Sequence, residues 1–173
     1  MTDKLFHISE EPGIRIFEPR PSPSSFDSIN DDVVFAISGR LLHNYLLPRD
    51  CPRVTYYIGK QTNDEDKKKF FSESTAEYII TVPSDWYNTI KKTTLYCYEF
   101  AIDNFTLLDE CAGYYISYEK EKPIAITVIP DTIAELLARR VELRFTSSLI
   151  PIADAVSASS LNFSLIRMRN AKS

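Results

Sequence analysis

Short apolar runs, each four to eight residues long, alternate along the chain with prolines, glycines and charged clusters. Residues 4–8 predict a strand, and IRIF (14–17) follows with period two. EPRPSPSSFDSINDD (18–32) has no such period. Its proline, serine and aspartate content predicts a loop. VVFAIS (33–38) is continuously apolar, as a buried strand is, and Gly39 breaks it. RLLHNYLL (40–47) has helical spacing, with Leu42, Tyr45 and Leu46 on one face and His43 on the polar face. Pro48 stops it.

Further strands are predicted at RVTYYIG (53–59), AEYIITV (76–82) and TTLYCYEF (93–100). FTLLDE (105–110) and GYYISYE (113–119) read as a pair, followed by KPIAITVIP (122–130), VELRF (141–145) and LNFSLIRMR (161–169). TNDEDKKKFFSE (62–73) reads as a loop or short helix, its acids early and lysines late as the helix dipole favours. Ser84 or Asp85 is expected to cap DWYNTIKK. Asp131 is expected to cap DTIAELLARR, with Ile133, Leu136 and Leu137 inward. A short helix should begin near Pro151. The total is roughly eight or nine strands and three or four short helices without regular alternation, which predicts an α+β fold. A chain of 173 residues without internal repeats or an evident linker suits a single domain over 1–173.

Composition narrows the function classes. The chain is 44% hydrophobic and 25% charged, as a globular protein is. Its net charge of −4 makes duplex DNA a poor partner; the only basic cluster is the tail containing Arg167, Arg169 and Lys172. Three cysteines without a CxxC motif argue against a disulfide framework and a zinc knuckle. Two histidines without HExxH argue against a metal site, and no GxGxxG or GK[ST] motif is present. The start of the chain lacks a signal-peptide pattern, and no apolar run is long enough to span a membrane, so a cytoplasmic location is expected. PRDCPRV (48–54) is a stiff charged loop, suited equally to binding and to an internal Arg–Asp pair. Alone, His7 reads as a structural histidine and Tyr45 as core. Glu142, between Arg140 and Arg144, reads as a cross-strand ion-pair site.

Two resemblances add to this. The segments LFHISEEPGIRIFEPRPSP, PRDCPRVTYY, AGYYIS, VELR and FSLIRMRNA resemble, over nearly the whole length, a family of small bacterial proteins without an assigned function. More loosely, LFHIS followed by GIRIFEP resembles the opening of the ADP-ribosyltransferase fold, with Ile8 where that family has glycine. VVFAISGRLLHNYLL resembles its strand-then-helix segment, in which a tyrosine follows the Phe-Ala pair by nine residues, as Tyr45 follows Ala36. The resemblance implies a bent, split β-core binding NAD or a related nucleotide-type ligand. His7 would orient the ribose, Ser9 would offer backbone groups to the nicotinamide amide, and Tyr45 would stack on the ring. Arg15 or Arg53 would hold phosphate. Glu77 or Glu142 would stabilise the developing ribosyl cation. RNA 2′-phosphotransferases share that fold and use arginines in place of the glutamate. A protein that keeps the fold without catalysis is the alternative.

Overall fold

The computed structural model describes residues 4–173, which form two compact units, one built from the chain up to Tyr45 together with Thr94–Pro130, the other from Leu46–Thr93 and Asp131–Ser173. The α+β expectation holds. Among the described residues are ten strands, four α-helices and three 3-10 helices.

The first unit is an antiparallel sheet. Its strands are β1 (Leu5–Ser9), β2 (Val34–Ser38), β5 (Leu95–Phe100), β6 (Thr106–Asp109), β7 (Tyr114–Ser117) and β8 (Ala125–Ile129), in the order β6-β7-β2-β1-β5-β8. LYCYEF alternates as predicted: Leu95, Cys97, Tyr98 and Phe100 are buried. Leu5, Phe17, Val34, Ala36, Tyr98, Phe100 and Phe105 form the core. Phe17 meets Tyr98 and Phe100 edge-on, with ring centroids 5.1 and 5.0 Å apart, the arrangement aromatic quadrupoles favour. IRIF is not a strand. Phe17 makes a single bridge to Glu121, Ile14 packs half-buried against the core, and Ile16 is exposed.

Gly39–Tyr45 is a 3-10 helix, not an α-helix. Three residues per turn rotate the faces relative to the 3.6-residue reading. Consequently His43, expected to be exposed, is buried beside Leu41 and Leu42. Gly113, at φ +69°, starts β7 where a side chain would not fit. An added Cβ would lie 2.5 Å from Ser38 Oγ and 3.0 Å from Leu41 Cδ1.

The second unit holds β3 (Arg53–Tyr57), β4 (Tyr78–Pro83), β9 (Glu142–Thr146) and β10 (Asn162–Ile166) in the order β10-β3-β4-β9, with β4 and β9 parallel. Helix α1 (Asp64–Phe71) begins at Asn63, whose side chain accepts the Asp66 N–H at 2.8 Å. Asp66 in turn accepts from the backbone and hydroxyl of Ser160, at 2.7 and 2.5 Å, tying α1 to the start of β10. Phe70 and Phe71 meet Tyr56 nearly edge-on. With Ala153 and Val156 of α4 (Ile150–Ser157) they cover β3. Asp131 caps α3 (Thr132–Ala138) as expected, its carboxylate accepting the Ala134 N–H. Leu136 is buried but Leu137 is 58% exposed, because a helix of two turns turns only one narrow face inward. The expected cap at Ser84 or Asp85 is not made. Ser84–Trp86 is a 3-10 turn, and Trp86 precedes α2 (Tyr87–Lys92) without a side-chain cap.

Candidate functional site

His7, Ser9, Arg15 and Tyr45 lie in the first unit; Arg53, Glu77 and Glu142 lie in the second. Strand β1 pairs with β5 along its whole length, Leu5 to Ser9. On its other side it pairs with β2 only at Leu5↔Ser38 and Phe6↔Ile37. Past Phe6 the ladder stops. There the His7 imidazole Nδ1 bonds the Phe35 carbonyl at 3.2 Å, a group the missing ladder leaves to be satisfied. A carbonyl only accepts, so Nδ1 carries the proton; in the neutral ring Nε2 is then an acceptor. The half-buried ring rests on Phe17, with centroids 4.9 Å apart.

Tyr45 ends the 3-10 helix. Its hydroxyl meets that of Tyr114 at 2.5 Å. The Tyr114 ring packs edge-on against the Phe35 ring, with centroids 6.3 Å apart. Phe35 therefore offers its carbonyl to His7 and its ring to the partner of Tyr45, so the structure brings the two residues into one network. Ser9 Oγ accepts the Glu11 N–H at 3.0 Å and shapes the turn after β1. Arg15 is exposed on the following segment. Buried Tyr98 fixes that segment: its hydroxyl donates to the Glu11 carbonyl at 2.6 Å and accepts the Ile14 N–H at 3.1 Å. Phe35, Tyr98 and Tyr114 were not among the sequence candidates. Their aromatic alternation marks them as core, and nothing in a strand pattern says which hydroxyl or carbonyl faces a histidine or a loop.

In the second unit Arg53 is 2% exposed. Its Nη1 donates to the carbonyls of Pro48 and Cys51, each at 2.9 Å. Burial pushes the Cys51 thiol up to about 12, so it is no nucleophile at neutral pH. Glu142 receives the Ser74 hydroxyl on Oε2 and Arg144 Nε on Oε1, the latter at 2.6 Å. The Ser74 hydrogen bond first, and Arg144 after it, hold this carboxyl below the usual glutamate range. The ion pair therefore runs between positions i and i+2 of one strand, not across strands as expected. Arg144 also donates to the Tyr56 hydroxyl at 3.2 Å, and burial raises the Tyr56 pKa. Glu77 is exposed, just before β4. Among the described residues no helix is long and apolar enough to cross a membrane, and no group of three or more His, Cys, Asp or Glu side chains is placed to hold a metal ion.

No curated protein and no solved structure matches the chain. A family model does match, over residues 6–171, and so spans the His7–Phe35–Tyr45 network and the buried Arg53 loop alike. The chain belongs to that family, the family of unknown function DUF6886.

Proposed function

We propose that the protein binds a nucleotide-type small molecule of the NAD or ADP-ribose class at the first unit. His7 orients the ribose, Tyr45 offers a ring face, and Ser9, at the end of β1, and Arg15, on the segment after it, add further contacts. The observation that carries this reading is the interrupted β1–β2 ladder. An imidazole stands where the strands part, its tautomer set by the Phe35 carbonyl, with Nε2 an acceptor suited to a sugar hydroxyl. Tyr45 joins the same network through Tyr114 and Phe35. Arg53 is left out of the phosphate role, because its guanidinium is turned inward onto two carbonyls.

A transferase needs more than binding. An ionised carboxylate must hold the ribose 2′-OH and face the developing cation. Glu142 is ionised, yet both its oxygens already serve Ser74 and Arg144. That favours a second reading, a protein that holds the ligand without cleaving it. Titration with ADP-ribose and NAD, followed by thermal unfolding, tests the binding claim. Ligand at about a hundred times its Kd stabilises by about 2.7 kcal/mol, which raises Tm by roughly 5–10 °C in a protein of this size. His7→Ala should abolish that rise; it also lowers the unliganded Tm, because the Phe35 carbonyl loses its donor. No rise at millimolar ADP-ribose refutes the reading. Nicotinamide release from NAD separates transfer from simple retention.

A further inference from the structure

The PRDC loop and the basic tail, distant in sequence, are built into one wall of the second unit. Carbonyls of residues 48, 49, 50 and 51 each accept a hydrogen bond from a side chain. Arg53 takes those of Pro48 and Cys51 at 2.9 Å, Arg167 Nε takes that of Arg49 at 3.3 Å, and Asn170 Nδ2 takes that of Asp50 at 2.7 Å. With its carbonyls tied back, the loop is held in one conformation. Arg167 adopts φ +54°, a left-handed conformation that costs a residue with a Cβ roughly 1–2 kcal/mol and starts the 3-10 turn Met168–Asn170. A third segment joins through Lys172, whose ammonium meets Asp85 at 2.8 Å, next to Trp86.

Between these three segments lies a shallow concavity of about 520 Å³ lined by Asp50, Trp86, Arg169 and Asn170. That volume lies within the range of small-molecule sites. The lining combines a half-buried indole, a guanidinium, a carboxylate and an amide. Neither Arg169 nor Asp50 makes an ion pair among the described residues, and both line the concavity. Arg49 adjoins Asp50 in the chain, and Arg167 lies two residues before Arg169.

We infer that this concavity is a binding site for a phosphate monoester carrying a ring, such as a sugar phosphate or nucleoside monophosphate. The guanidinium fork of Arg169 matches phosphate geometry. The Trp86 face packs on a base or a sugar ring. Asp50 accepts sugar hydroxyls. The site is independent of the His7 reading and shares no residue with it.

Trp86 is the only tryptophan in the chain, so tryptophan emission, excited selectively over the ten tyrosines, reports on this site. The experiment titrates the full chain with AMP, ribose 5-phosphate and inorganic phosphate. AMP or ribose 5-phosphate should give a saturable change with a Kd at or below about 1 mM. Arg169→Ala should weaken binding about 10- to 100-fold, the usual worth of a charge-assisted pair. His7→Ala should leave it unchanged, which separates this site from the one in the first unit. AMP binding tighter than ribose 5-phosphate assigns the Trp86 face to the base; equal binding assigns it to the sugar. The inference is overturned by no saturable change at about 10 mM ligand, by equal affinity of Arg169→Ala and wild type, or by inorganic phosphate binding as tightly as AMP.

Discussion

Replacing Arg53 by methionine tests whether the PRDC loop is held from beneath. The substitution keeps most of the buried volume and removes the guanidinium. Two carbonyls lose a donor at 2.9 Å. They do not lose equally. The Pro48 carbonyl also accepts the Cys51 N–H at 3.0 Å and keeps it, whereas the Cys51 carbonyl loses its guanidinium partner in a site 0% exposed. An unsatisfied buried carbonyl costs about 1–3 kcal/mol, and weakening the second adds roughly 1 kcal/mol. Relief from burying a cation offsets part of this. The expected net loss is about 1–3 kcal/mol. In urea unfolding, with a slope of roughly 2 kcal/mol/M, the midpoint should fall by roughly 0.5–1.5 M at unchanged slope. Arg53→Lys retains the charge but cannot fork between two acceptors, and should fall between wild type and Arg53→Met. An Arg53→Met protein within about 0.5 kcal/mol of wild type refutes the reasoning, since the loop would then need no internal anchor.

Other substitutions probe the remaining parts. Gly113→Ala combines a positive φ with a Cβ 2.5 Å from Ser38 Oγ and should cost about 2–4 kcal/mol in urea unfolding; Gly13→Ala, at φ +70° with nothing within 4 Å, should cost about 1–2 kcal/mol. Glu142 has a folded pKa below its ordinary 4.5, so its contribution to stability is present above that pH and is lost as the pH falls through the lower folded value. Glu142→Gln should therefore flatten the decline of Tm below about pH 4.5, and an unchanged acid limb would contradict the Ser74 and Arg144 contacts. A thiol reagent at neutral pH should modify exposed Cys111 quickly and buried Cys51 and Cys97 only after denaturation, giving one reactive thiol in the native protein and three in urea, by mass spectrometry.

Most elements are legible in the sequence where the period is unmistakable. LYCYEF, YIITV and the Asp131-capped helix form close to where the pattern puts them. Departures occur where two readings share one pattern. Helical spacing over 40–47 cannot separate a 3-10 from an α-helix, and the difference decides whether His43 is buried. Ile14 and Ile16 alternate as a strand would, although the only bridge there among the described residues is made by Phe17, and Ile16 is exposed. The candidate site was legible in part. Pattern alone raises His7 and Tyr45 only by resemblance. Their link runs through Phe35 and Tyr114, whose roles depend on register between strands far apart in sequence. Arg53 could not be read as buried, because an arginine beginning a β-branched strand is ordinarily exposed. The fate of its guanidinium depends on how a proline-bounded loop folds back over it.

The binding claim is tested most directly by amide chemical shifts during titration with ADP-ribose, followed in an Arg169→Ala background so that the second unit's concavity does not contribute. Amides of Phe6–Ser9, Phe35, Tyr45 and Tyr114 are expected to move together and saturate. Shifts absent from these strands at saturating ligand, or confined to residues 49–51 and 168–170, would contradict a ligand held at His7.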